Sequence, residues 1–223
     1  MEKNINYQQK IIAFIDILGF KEHIKKSISE INLRRQINEL LTIYGKAMRD
    51  PNFKNSNIGD KAARKITSFS DNIVISYSEK CSFAEALYDL SYLQLVSISK
   101  GFLVRGGITI NEIRHVDDVL FGPGLNEAYY LETKVALYPR IIFTQETYNK
   151  AFNGKFHVLN DFHSDMRYVS QNLCSLDSDG VFYLNFCNDD LIRRIFKTRD
   201  NYLNKINQLS SMNDNMEVSI KQK

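Results

Sequence analysis

Arg105-Gly106-Gly107-Ile108-Thr109 and, downstream of it, Phe121-Gly122-Pro123-Gly124-Leu125-Asn126-Glu127-Ala128-Tyr129-Tyr130-Leu131-Glu132 are the stretches on which the reading of this chain turns. The first reads as a strand ending in paired glycines and leading into a hairpin-like excursion. Gly122-Pro123-Gly124 is a turn, and the residues after it form a helix with Asn126 in its first turn. An amide there faces whatever lies over the turn rather than the core. Two upstream stretches each deliver one acid to a strand end or tip: Ile11 to Phe20 carries Asp16, and Ile66 to Tyr77 carries Asp71. Two carboxylates and an amide that converge point to metal and phosphate chemistry.

The 223 residues, 43% of them apolar, suffice for a sizeable core, and one domain with embellishments suits that length better than two. A net charge of +3 is too mild to mark a nucleic-acid surface. Cys81, Cys174 and Cys187 are far apart and unpaired in spacing, which suggests neither a disulfide framework nor a zinc site and points to a reducing cytosol. Met1 to Lys10 is polar, and no apolar run approaches the ~20 residues of a membrane span. The expectation is a soluble, cytoplasmic protein with no membrane or nucleic-acid partner.

In chain order, Ile11 to Phe20 is an apolar run of strand length broken by Asp16, and a carboxylate in a strand buried on both faces needs a partner or a metal. The alternative is that Asp16 caps the helix over roughly Lys21 to Ile31. Leu18, Gly19 and Phe20 expose backbone amides at that helix start, an anion site that suits a triphosphate. Leu33 to Arg49 is helical, with Ile37, Leu40, Leu41, Tyr44 and Met48 on one face. Asp50 to Asn57 reads as a surface loop, and Lys61 and Arg64 as a solvated face. Ser70-Asp71-Asn72 joins two β-prone runs as a hairpin, so Asp71 reads either as a turn residue or as a ligand. Cys81 to Ser99 is an amphipathic helix with Gly101 at its C-terminal cap. This order gives an α+β chain with a mainly antiparallel sheet. His115, Asp117 and Asp118 read as an exposed hairpin tip, and His157 and His163 around Asp161 are given no role.

Together these stretches resemble the class III nucleotidyl cyclase domain: an acid at the end of the first strand before a Gly-Phe turn, an acid in a hairpin, and Gly122-(x)3-Asn126 entering a helix that ends in Leu131-Glu132. Pro139 to Tyr148 resembles the strand and helix that follow in that family, and Asp177 to Phe186 its late hairpin. The spellings Ser70-Asp71-Asn72-Ile73, Arg105-Gly106-Gly107-Ile108-Thr109 and Phe121 to Tyr129 look most like the short pyrimidine (uridylate/cytidylate) cyclases of bacterial Pycsar anti-phage systems. The resemblance implies a ferredoxin-like βαββαβ core in a catalytic domain over 1–187, while residues 188–223, amphipathic at their start through Leu191, Ile192, Ile195 and Phe196, read as a C-terminal helical extension and frayed tail. It implies two divalent ions, Mg²⁺ or Mn²⁺, on Asp16, Asp71 and the Ile17 carbonyl, with the triphosphate on the Leu18 to Phe20 amides and Asn126 orienting the nucleotide. It also implies a head-to-tail homodimer with sites at the interface, a UTP or CTP substrate, and a separate effector that senses the cyclic product. Asn126 retains the alternative of a simple helix-capping role.

Two departures from the family qualify this. Its transition-state arginine, four residues after the asparagine, is here Tyr130, and Arg105 is the substitute candidate, with Arg140 behind it. Either arginine reads also as a structural ion-pair partner, and for Arg140 that is the preferred reading. The positions that read a purine base are Thr67 and Val119, which cannot form the Lys and Asp pair of adenine readers. Tyr44 is a candidate to fill the space a smaller pyrimidine leaves, or else ordinary core.

Overall fold

Strand β1 (Gln8–Ile17) is apolar from Ile11 to Ile15 because both of its faces are covered. Ile11, Ala13, Ile15 and Ile17 point to one side, where they join Phe20, Ile37, Leu40, Leu87 and Leu90 in the main core. Ile12 and Phe14 point to the other, against Val74, Ile113 and Ala128. Asp16 belongs to this second face, one alternation beyond Phe14. The computed structural model describes residues 5–47, 64–153, 156, 173–186 and 189–220. Met48, the 50–57 loop, Lys61, His157, Asp161, His163 and Cys187 lie outside these residues.

After β1 come helices α1 (Phe20–Ser27) and α2 (Ile31–Ala47), the hairpin β2 (Arg64–Phe69) and β3 (Asn72–Tyr77), helix α3 (Phe83–Lys100) and strand β4 (Val104–Val116). The short β5 (Val119–Phe121) folds back on β4, and α4 (Pro123–Tyr130) runs on through a widened π-helical turn, Leu131–Val135. The chain continues through β6 (Ile141–Phe143), α5 (Gln145–Asn153), the β7 (Cys174–Leu176) and β8 (Phe182–Leu184) hairpin, α6 (Asp189–Phe196) and α7 (Arg199–Ile220). The sheet order is β2-β3-β1-β4-β6-β8-β7, antiparallel except where β6 joins β4. Its first four strands have the ferredoxin-like order, as the α+β reading expects.

Local signals account for the elements. Ser82 and Glu85 form a reciprocal capping box at the start of α3, and Gly101 closes its end in the left-handed region at φ 94°. The outer side of α3 offers Leu95 and Ile98 to Ile192, Phe196, Tyr202 and Leu209 of the C-terminal helices. Among the described residues, no helix is long and apolar enough to cross a membrane.

The region around the paired glycines differs from expectation. Gly106 and Gly107 do not end a strand; β4 passes through them and runs on to Val116. What they do is let other backbone come close. A Cβ on Gly106 would lie 2.8 Å from the Phe14 carbonyl oxygen, and one on Gly107 would run into the Ala128 carbonyl and the Leu131 side chain. His115 is also not at an exposed tip: it is 2% exposed, because the longer strand carries it onto the sheet, and only Asp117 and Asp118 occupy the turn. Arg140 is buried between Asp177 and Asp179 as an ion-pair partner. Gly107→Ala is expected to lower stability by about 1–3 kcal/mol through overpacking, read as a lower urea midpoint with an unchanged slope. A midpoint equal to the parent's would mean that α4 has room to withdraw.

Candidate active site

Asp16 is placed by register. Its Cα partners are Asn72 on β3 and Arg105 on β4, and directly opposed residues of an antiparallel sheet share a face. The β2–β3 hairpin then brings Asp71 to the same end of the sheet. Its turn holds Ser70 in the left-handed region at φ 57°, and the Ile17 amide donates to the Asp71 carbonyl at 3.1 Å. The Asp71 carboxylate accepts from Asn72 Nδ2 at 3.1 Å. Both acids are half-buried.

A third carboxylate joins them. Glu132, 2% exposed, comes from the π-helical turn after α4, which the contact at Gly107 presses onto the sheet. Its Oε1 accepts from Arg105 Nε at 2.7 Å and lies 2.5 Å from Nη2. A carboxylate this buried needs such a cation. The Leu131-Glu132 ending was visible in the sequence, but only as spelling; its burial depends on how closely α4 approaches. Burial, then Glu132 and Asp71, push the Asp16 carboxyl up to about 7 against the opposing pull of Arg105.

Other expected site residues are placed differently. Asn126 and Tyr130 are exposed on α4. The helix start, at Gly124, packs on Ile12 and Asn111, and Ile12 is four residues (~13 Å) before Asp16 along β1. Leu18 is a correction: its amide donates to the Leu103 carbonyl at 2.9 Å and is not open to phosphate, which leaves the Gly19 and Phe20 amides at the start of α1. Gly19 takes φ 69°, the left-handed conformation that turns the strand into the helix. Tyr44 is a second correction. It is 2% exposed in the main core, with its hydroxyl bonded to Ser97 of α3, because it faces the helix layer rather than the acid face. Thr67 does lie on the acid face, with Oγ1 2.9 Å from His115 Nε2, and Val119 is exposed on β5.

Among the described residues, no three His, Cys, Asp or Glu side chains form a ready metal cluster. Asp16 and Asp71 nevertheless suit a hard divalent cation. They are oxygen donors, and a dication favours the ionised form of Asp16 that burial, then Glu132 and Asp71, oppose.

No protein-family model matches the chain, and no curated protein matches it. Solved structures do. The monomeric guanylyl cyclase domain of a RhoGC fusion protein from the aquatic fungus Blastocladiella emersonii is 13% identical, with a TM-score of 0.51 over 80% of this chain and 95% of that one. The catalytic core of a rhodopsin-guanylyl cyclase with converted specificity, in complex with ATPαS, gives 14% and 0.49 over 80% and 96%. The guanylyl cyclase Cya2 gives 15% and 0.47 over 80% and 92%. The fold is that of a class III cyclase domain.

The proton balance at Asp16 is testable without a ligand. Its pKa is about 7 in the folded, metal-free chain against an ordinary 3.8, so the folded state binds the proton more tightly. The cost of ionising it is absent below pH ~4 and fully present above pH ~7. In EDTA, Asp16→Asn is expected to stabilise the chain by ~1–2 kcal/mol above neutrality, discounted for solvent screening, and to have no effect near pH ~4. Thermal melts across that range would contradict this if the difference between the two proteins did not grow with pH.

Proposed function

We propose that this chain is a nucleotidyl cyclase that converts a pyrimidine nucleoside triphosphate, UTP or CTP, into its 3′,5′-cyclic monophosphate and pyrophosphate. The observation that carries the reading is the joining of Asp16 and Asp71 at one end of a class III cyclase-type sheet. The two carboxylates, with the Ile17 carbonyl, would hold Mg²⁺ or Mn²⁺. Such ions, when bound, offset the charge of the triphosphate and acidify the ribose 3′-hydroxyl.

The chain's own residues supply binding and orientation. The Gly19 and Phe20 amides at the start of α1 suit the outer phosphate oxygens. Arg105, fixed to Glu132 through Nε and Nη2, presents its remaining amino group as the positive charge that Tyr130 does not bring. Thr67 and Val119 line the base end, where a hydroxyl and an aliphatic side chain do not reproduce the polar pair that reads adenine.

A homodimer is part of the proposal. Asn126 is exposed on α4, so a second copy laid head to tail would bring it to the acids of its partner, and the symmetric dimer would hold two sites. Phe69, Tyr129 and Tyr130, each more than half exposed around the acid face, suit such contact. By the resemblance, the cyclic product would be a cytoplasmic signal in bacterial defence against phage, read by a separate effector protein. Tyr130 and the internal pairing of Arg105 favour a second reading, a cyclase-like module that holds nucleotide without turnover.

Incubation with ATP, GTP, CTP and UTP plus Mn²⁺, with products identified by mass spectrometry, is expected to give one cyclic pyrimidine nucleotide and pyrophosphate. A cyclic purine would overturn the base assignment, and binding without product would favour the non-catalytic module. Asp16→Ala and Asp71→Ala are expected to abolish turnover in folded protein. An equimolar mixture of Asp16→Ala and Asn126→Ala chains, each inactive alone, is expected to recover about a quarter of the parent activity, since half the dimers are mixed and each has one intact site. Recovery of none would exclude shared sites.

A further inference from the structure

At the other end of β1 the same face of the sheet carries the opposite charge. Lys10, Lys65, Ser76, Ser78 and His115 line a cleft of about 330 Å³, with Val116 and Asp117 at the β4–β5 turn. Lys10 is six residues before Asp16 along the strand, ~20 Å, so the cleft is separate from the acid pair.

The floor of the cleft is fixed by hydrogen bonds. His115 is 2% exposed, with Nδ1 2.9 Å from Ser76 Oγ and Nε2 2.9 Å from Thr67 Oγ1. Burial, with Lys65 and Lys10 adding to it, pushes its pKa down to about 4, so the imidazole is neutral and adds no charge of its own. Ser76 is the register partner of Lys65 on β2 and of Ile12 on β1, which sets the lysines of the two strands on either side of it.

The walls hold two like charges. Lys10 has its pKa lowered by burial and then by Lys65, the electrostatic sign of two ammonium groups brought close. Arg64, which also lines the cleft, is committed to Asp89 at 2.5 Å. Among the described lining residues, the one carboxylate is Asp117, exposed on the turn. Two ammonium groups held together with serine hydroxyls between them repel each other until an anion with several acceptor oxygens lies between them.

We infer that this cleft binds a phosphoryl group of a small molecule, with its oxygens between Lys10 and Lys65 and within reach of the Ser78 hydroxyl. A free phosphate and the phosphate of a nucleoside monophosphate offer the same chemistry, and the volume admits either. The lining of the cleft includes neither acid, although His115 on its floor is bonded to Thr67, which the cyclase reading sets at the base end.

The test uses the full chain in EDTA, which keeps divalent ions from bridging phosphate to Asp16 and Asp71. Isotope-labelled protein is titrated with inorganic phosphate and, separately, with UMP, and amide shifts are followed by NMR. Saturable shifts at Lys65, Ser76 and His115 are expected in both titrations. Tighter binding of UMP through the same residues would identify a nucleotide as the ligand, and equal affinity would mean that phosphate alone suffices. Lys10→Gln and Lys65→Gln are each expected to weaken binding by about tenfold, and the double variant to abolish it. Since each substitution removes a repulsion, melting temperatures at or above the parent's are expected, which excludes misfolding as the cause. Shifts that never saturate, that centre on Gly19 and Phe20, or that persist in the double variant would each overturn the inference.

Discussion

Backbone meets backbone where Gly107 of β4 faces the Ala128 carbonyl of α4, and no side chain separates them. That approach brings Leu131 and Glu132 down onto the sheet beside the register position of Arg105 and Asp16. Once there, the Glu132 carboxylate is out of water and must be paired, and Arg105 is the cation in reach. The ion pair and the third negative charge near Asp16 both follow from the absence of one Cβ.

The consequence for Asp16 is a carboxyl held between opposing influences. Burial and two neighbouring carboxylates favour its protonated form, and Arg105 only partly offsets them. A strand otherwise apolar on both faces thus ends in a group whose ionised form is costly without an added cation. The other end of the face has the reverse problem, two lysines with one exposed carboxylate, Asp117, among the described residues that line the cleft. One surface of the sheet is therefore segregated by charge along β1, and each end favours a ligand of the sign it lacks.

Most of the fold was legible because its signals are local. The two-sided apolar run of β1, the Ser-Asp-Asn turn, the helix from Phe83 with Gly101 behind it, and the Gly-Pro-Gly entry to α4 each follow from residue chemistry within a few positions. The paired glycines are ambiguous for a physical reason: a missing side chain serves equally to end a strand and to admit another backbone. His115 is buried because β4 outlasts its glycines, and the burial of a strand residue depends on how far the strand runs.

The sequence by itself determined which acids stand at strand ends and which segments form helices, since both depend on neighbours in the chain. It also carried Asp16 and Asp71 as a pair, because a strand end and a hairpin tip can be placed from turn chemistry. Only the tertiary structure decided that Glu132 is buried beside them, that the Leu18 amide is already taken by Leu103, that Tyr44 faces helices, and that Asn126 is exposed on α4. These depend on how closely elements remote in sequence approach, and that distance is set by packing across the sheet, which no local pattern records.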